Sequence, residues 1–294
     1  MIGIADTPGP HAEVRTAATS DGNVSYAIAG TGPAVLAIQG AGLIGHAWQP
    51  QVDGLSSQFR FITLDNRGIG GSRRGPSPLT IERMALDALA VMDAAGVDRV
   101  HLVGHSMGGL IAQHLALTHR ERIKSLALLC TFADGARATR LSGRMLLLAL
   151  RSRVGTRTMR RKGMLHMIMP ADYIRRQDSA ALAARVGTIF GRDLADQPRI
   201  VFEQLRAMSR YTAVARLGEL SNIPTLVMSA RHDPIAPPAL GREIASGIGG
   251  AHFLEFDDAS HAVTIQLPGQ VNALLCDHLL KAESSSAGAS PVRA

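Results

Sequence analysis

Three residues far apart in the chain have the types that nucleophilic acyl chemistry needs: Ser106, Asp233 and His261, in that order. A serine hydroxyl is a poor nucleophile until a base takes its proton, and an imidazole base needs a carboxylate to hold its orientation. Ser106 lies in Gly104-His105-Ser106-Met107-Gly108, where the apolar run Val100–Val103 ends and an amphipathic segment begins. A serine on such a strand-to-helix turn projects its hydroxyl above the sheet. The following helix N-terminus then offers positive potential to a developing oxyanion. The pentad alone also fits a glycine-rich connection with an ordinary N-cap serine; the strand before it and the helix after it favour the nucleophile.

The base and its carboxylate should each stand at a strand end. Asp233 lies in TLVMSARHDPIAPP, four residues past an apolar run and before a proline-rich turn. His261 lies in AHFLEFDDASHAV, just past the last such run and before the final helical segment. Asp134, in LLCTFADG after the preceding strand, is a rival acid. His105 falls inside the turn and His232 beside the acid, and both read as scaffold; His114 and His119 read as structural or exposed.

The elements that position these residues follow from periodicity. Asp21-Gly22 is a hairpin signal between two β-rich runs. Val35–Gln39, Phe59–Leu64, Val100–Val103, Ile123–Leu129, Thr225–Ser229 and Ala251–Phe256 are compact apolar runs, and most are separated by helical patterns. One such helix is expected from Thr80, as its N-cap, to Ala95, stopping at Gly96. Continuous apolar strands alternating with helices indicate an α/β domain with a parallel sheet covered on both faces. The interval 135–215 breaks the rhythm, holds no clear strand, and reads as an all-helical cap. The expected organisation is a flexible 1–11, a core over 12–134 and 216–281, the cap between them, and a disordered tail over 282–294.

Taken together, VHLVGHSMGG, DNRGIGGS, SARHDPIAPP and DASHAV make the chain resemble the α/β-hydrolase fold enzymes. Within them it is similar to the esterase, enol-lactonase and cofactor-free haloperoxidase-like branch. The resemblance implies a mostly parallel eight-stranded sheet with the cap inserted after the sixth strand. It also favours Asp233 over Asp134, since His-Asp-x-x-x-Pro is similar to the family's acid loop. The implied activity is a serine hydrolase acting on a carboxylic ester or related acyl bond. Lactone opening or perhydrolysis through the same triad is the alternative, and a binding protein on the same fold is a more distant one.

Two backbone N–H donors must hold the oxyanion. Met107, after the nucleophile, is one; the other comes from the loop after VLAIQ, where Ala41 fits by position and Gly42 is next. Relatives usually carry His-Gly there, and Gln39 replaces the histidine. Gly40, Gly42 and Trp48 are expected against substrate, Trp48 chiefly as packing at the pocket wall. Arg67, in a turn similar to the family's Asp-x-Arg-Gly, is expected to pin loops beneath the site. Serine at the turn argues against dehalogenase or epoxide-hydrolase chemistry, which puts aspartate there. GAGLIG lacks the acidic residue and the spacing of a dinucleotide fingerprint. No Cys/His cluster has zinc spacing and no EF-hand loop occurs, so neither a metal nor a cofactor is implied.

The 294 residues carry 31 Lys and Arg against 24 Asp and Glu, a formal +7. That excess belongs to the cap: 135–215 hold 16 basic and five acidic residues, a net +11, and the rest of the chain is −4. Six of the eleven methionines, Met145, Met159, Met164, Met167, Met169 and Met208, fall there too. Three readings stand: an amphipathic lid with Met and Leu inward, a basic face steering an anionic substrate, or contact with an acidic surface. No recognisable nucleic-acid motif accompanies the arginines. Two cysteines, Cys130 and Cys276, sit in apolar runs and read as reduced, which suits a cytoplasmic setting. The chain shows no transmembrane stretch and no secretory signal. The expected partner is a small ester, lactone or acyl molecule, with a homodimer possible.

Overall fold

The computed structural model describes residues 13–140 and 143–287. The expected flexible segment 1–11 lies outside the described residues. Two strands, β1 (Glu13–Thr19) and β2 (Gly22–Ala29), form the hairpin across Asp21-Gly22. The sheet continues through β3 (Ala34–Ile38), β4 (Arg60–Leu64), β5 (Val100–His105), β6 (Ile123–Leu129), β7 (Thr225–Ala230) and β8 (His252–Phe256). Its order is β1-β2-β4-β3-β5-β6-β7-β8, antiparallel in the two pairings made by β2 and parallel thereafter. Every residue of β3, β5 and β7 is buried, as an apolar strand covered on both faces must be.

Helices α1 (Gln49–Leu55), α2 (Ile81–Ala94) and α3 (Met107–Thr118) belong to the first half of the sheet. Helix α2 starts where expected, the Thr80 side chain accepting from the Arg83 N–H, and Gly96 beyond its end takes φ +65°. Six helices lie between β6 and β7: α4 (Gly135–Ala138), α5 (Gly143–Arg151), α6 (Arg157–Ile168), α7 (Ala171–Arg175), α8 (Ser179–Phe190) and α9 (Ile200–Met208). They build an apolar cluster of their own around Leu165, Val186 and Leu194, joined by Ala262 and Ile265 from the loop and helix that follow β8. After β7 come α10 (Pro238–Gly247), α11 (Val263–Gln266) and α12 (Pro268–Ala287).

Helix α12 corrects one boundary. It runs through Ala287, so the tail does not begin at 282. The reason is a tether: Glu283 bonds the buried His101 at 2.8 Å and Lys124 at 2.5 Å, which fastens the last turns to β5 and β6. The remainder of the expected tail, 288–294, lies outside the described residues.

The strand order places the chemistry. The chain runs from β3 outward to β4, then returns past β3 to β5, so the loops leaving β3 and β5 diverge at a switch point. Ile38 pairs with Gly104 there, and the two loops start side by side. Beneath them Arg67 is 2% exposed. Its guanidinium bonds Asp87 of α2 through Nε (2.7 Å) and Nη2, and Asp21 of the hairpin through Nη1 (2.6 Å). The turn after β4 is thus pinned to two other elements.

Replacing Arg67 strands the Asp87 charge in the interior, and losing one partner of a buried pair costs about 3–5 kcal/mol. Arg67→Met is expected to lower the urea-unfolding free energy by about that much. Arg175→Ala, which removes the exposed pair with Asp172, should leave the midpoint where it is.

Candidate active site

The turn from β5 into α3 has no room for side chains on its glycines. A Cβ on Gly104 would lie 2.5 Å from the Gly108 carbonyl oxygen, and one on Gly108 would lie 2.1 Å from that of Ile38. Ser106 between them takes φ +55° and ψ −121°, a region that non-glycine residues rarely occupy. The surroundings hold it there. Ser106 N–H donates to the Leu129 carbonyl (3.0 Å), and the Ser106 carbonyl accepts from Thr131 Oγ1 (2.6 Å) and Gly109 N–H (2.9 Å). Helix α3 begins at Met107 with no side-chain cap, so the Met107 N–H, unlike that of Gly109, can serve an anion.

Loops from β7 and β8 bring the other two residues to the same edge. Asp233 is buried and accepts from the Ile235 and Ala236 N–H groups through Oδ1, at 2.8 and 2.9 Å. Its Oδ2 lies 2.7 Å from His261 Nδ1. Burial alone would raise the Asp233 pKa, but the His261 charge and hydrogen bond and the two backbone donors outweigh it. The carboxyl is held below the ordinary aspartate value. Asp134, the rival acid, is instead the N-cap of α4, accepting from Arg137 N–H at 3.1 Å.

Ser106 and His261 both line a cavity of about 650 Å³ between sheet edge and cap, together with Gln39, Gly40 and Ala41. In the loop after β3, two N–H groups are committed: Gly40 donates to the Gln39 side chain (3.2 Å) and Gly42 to Gln204 of α9 (2.8 Å). Ala41 N–H has no acceptor among the described residues. Gln39 therefore supports the loop from within, where relatives usually carry histidine.

Two expected substrate contacts are corrected. Gly42 does not line the cavity: its carbonyl accepts from Arg192 and its N–H is taken by Gln204. Trp48 is fully buried and packs edge-on against His105, with ring centroids 6.4 Å apart, so it supports the site from below. Gly40 does reach the cavity, and a Cβ there would press on Ser106 Cβ at 3.0 Å.

Three further residues at the site, Gln204, Arg192 and Cys130, carried no signal for their place there, whereas His105 is read in the sequence as scaffold. Gln204 and Arg192 meet the β3 loop from 162 and 150 residues away, a contact that only the folded cap creates. Cys130 follows β6 with φ +45°, and its thiol bonds the Asp233 carboxylate. Burial, with that negative charge, pushes the thiol pKa up and keeps it protonated. His105 Nε2 lies 2.8 Å from the His261 carbonyl. Burial, aided by His261, lowers its pKa to about 3.

His105, Cys130 and His261 have ligand-type atoms within 4.8 Å of one another, the one such grouping among the described residues. Each is already engaged: His105 by the His261 carbonyl, the thiol by Asp233, and His261 Nδ1 by the same carboxylate. That donor set does not fit a metal, which would need a thiolate. A second Ser-His-acid row, Ser125, His101 and Glu283, has bonds of 2.8 Å each but stands at the opposite ends of the strands. It fastens α12.

A strained serine after the fifth strand, an aspartate after the seventh, a histidine after the eighth and helices inserted after the sixth define the class of fold. A family model for the α/β hydrolase fold matches residues 33–266. The chain belongs to that family. A protein of Azorhizobium caulinodans that carries the provisional name carbamate hydrolase RutD is 29% identical over 265 residues, 87% of this chain and 94% of that one. The enol-lactonase of Burkholderia xenovorans LB400 superposes with a TM-score of 0.73 at 29% identity, covering 90% of this chain and all of that one. A thermophilic esterase of Thermogutta terrifontis gives 0.74 at 27% identity, covering 92% and 99%. These relatives are hydrolases by name. Among the described residues, no helix is long and apolar enough to cross a membrane.

The buried histidines set an acid limit. His105 titrates at about 3 and His278, desolvated against α12's surroundings, at about 4, whereas both would titrate near 6.5 in the unfolded chain. Below about pH 6.5 the unfolded chain binds protons that the native one refuses. Stability should fall with pH by about 1.4 kcal/mol per unit for each of the two, down to about pH 4. Urea titrations at pH 7.5, 6 and 5 check this, and His278→Gln should flatten the slope; equal midpoints throughout would contradict it.

Proposed function

We propose that the protein is a serine hydrolase that cleaves a carboxylic ester through Ser106, His261 and Asp233. One observation carries the reading: His261, held by Asp233 at 2.7 Å, shares a cavity with a serine in a strained turn. Ser106 Oγ attacks the acyl carbon while His261 Nε2 takes its proton. Asp233 keeps the proton on Nδ1 and stabilises the imidazolium that forms. The N–H groups of Ala41 and Met107 receive the oxyanion, Ala41 because its neighbours' donors are already used. Collapse breaks the bond to the leaving oxygen, which His261 protonates, and an acyl-enzyme remains on Ser106. Water, deprotonated by His261, adds to that acyl carbon and releases the acid.

The relatives support an acyl centre as the reacting group, since carbamates and lactones, named for two of them, both present one. The cap supports exclusion of water: Met145, Met164, Met167 and Met208 line the same cavity and can repack around an apolar acyl chain. The reading places the enzyme in the cytoplasm, on the strength of its reduced cysteines.

Ser106→Ala should lower kcat for a p-nitrophenyl ester by about 10⁴-fold or more, and Asp233→Asn by a similar factor with KM little changed. A fluorophosphonate probe should label the wild type and not Ser106→Ala. Full turnover by Ser106→Ala would overturn the reading, and failure of the wild type to label would favour a binding protein on this fold.

A further inference from the structure

The cavity above Ser106 is lined by arginine and by no carboxylate. Arg137, Arg140, Arg153 and Arg192 all border it, while Asp and Glu are absent from its wall. Arg137 is spent, bridging Glu243 with both bonds at 2.8 Å. Arg153 and Arg192 have no carboxylate partner among the described residues, although every acidic residue of the cap is engaged elsewhere. Asp193 and Asp196 hold Arg157, Asp193 also holds Arg161, Asp172 holds Arg175, Glu203 holds Arg74, and Asp178 caps α8.

Both side chains are preorganised. Arg192 donates from Nη1 to the Gly42 carbonyl and from Nε to the Asp196 carbonyl at 2.9 Å, and lies 5.7 Å from the Phe190 ring centre. Arg153 donates from Nη1 to the Ala149 carbonyl at 3.3 Å and lies 5.3 Å from the Phe202 ring centre. Its Nε is buried without an acceptor, and each residue keeps Nη2 unused among the described residues. A guanidinium beside methionine and phenylalanine, with donors unspent, is held at a cost that an anion removes.

We propose that Arg153 and Arg192 form an anion subsite in this cavity, so that the preferred substrate is an acyl compound with an apolar body and a carboxylate at its far end. The proposal rests on the acyl chemistry assigned to Ser106 and adds the class of acyl group it takes. It also gives the cap's arginines different uses: Arg157, Arg161 and Arg175 close on carboxylates of the lid, and Arg153 and Arg192 read the substrate.

The test compares p-nitrophenyl hexanoate with the mono-p-nitrophenyl ester of adipic acid, which have equal chain length and differ by the terminal carboxylate. The wild type should favour the adipate ester by about tenfold or more in kcat/KM, with the gain in KM and eroded by added salt. Arg153→Met and Arg192→Met should each shrink the ratio, their combination should bring it near one, and Arg192→Lys should retain most of it. A wild-type ratio of one, or a ratio untouched in the double variant, overturns the proposal. Calorimetry of adipate on Ser106→Ala keeps it separate from catalysis. Adipate should bind that variant and not Ser106→Ala with both arginines replaced. Binding without hydrolysis of either ester would sink the acyl chemistry and leave the anion subsite standing. Equal hydrolysis of both esters without adipate binding would do the reverse.

Discussion

At the carboxyl end of β5 the chain enters α3 so close to its neighbours that Gly104 and Gly108 can carry no Cβ. The remaining geometry depends on that crowding. It forces Ser106 to φ +55°, which no serine would adopt unaided. It also sets the N-terminus of α3 against the loop leaving β3, because Ile38 and Gly104 pair in the sheet. The strain is borne by hydrogen bonds to the Leu129 carbonyl and from the Thr131 hydroxyl and the Gly109 N–H, and Thr131 is at the same time what fills the space beside Gly109.

Around that turn, burial is used to keep charge in one place. Burial lowers the His105 pKa to about 3 and raises that of the Cys130 thiol, so neither carries a charge near neutral pH. Asp233 is the single carboxylate of this group: Oδ1 accepts from two backbone donors, Oδ2 faces His261, and the Cys130 thiol lies against the carboxyl. The Asp233 charge is therefore held in one orientation beside His261, which is what the proposed mechanism asks of it.

Legibility in the sequence followed the range of the interaction. The hairpin at Asp21-Gly22, the Thr80 cap and all eight strands are local patterns, and the structure places them within one or two residues. The three chemical residues were readable because each follows an apolar strand, and strand ends in an α/β sheet share an edge. The turning of Gly42 away from the cavity left no trace, because proximity in sequence to the loop says nothing about which side of it faces the cavity. Gln204, Arg192 and Cys130 were invisible for a different reason. Their roles arise from the cap folding back over the β3 loop and from a left-handed residue after β6, and neither leaves a periodicity. The end of α12 was missed because Glu283 in KAESSS reads as a polar tail until His101 and Lys124 are seen beside it.

The cap shows why a net charge is a weak guide until each charge is placed. Of the six methionines that accompany the arginines, Met145, Met164, Met167 and Met208 face the cavity above Ser106. Met159 and Met169 face a separate hollow of about 800 Å³ on the outer side of the lid, bordered by His166 and His232, which does not reach the serine. The arginines divide in the same way. Arg157 and Arg161 close on Asp193 and stabilise the lid from outside, whereas Arg153 and Arg192 lie over phenylalanines at the inner wall. The lid differs from a merely basic surface because Arg153 and Arg192, without a carboxylate partner among the described residues, border the cavity itself. A charge bordering a partly enclosed cavity is screened less than one on the open face, so a carboxylate bound there has more effect on selection than one met on the outer face.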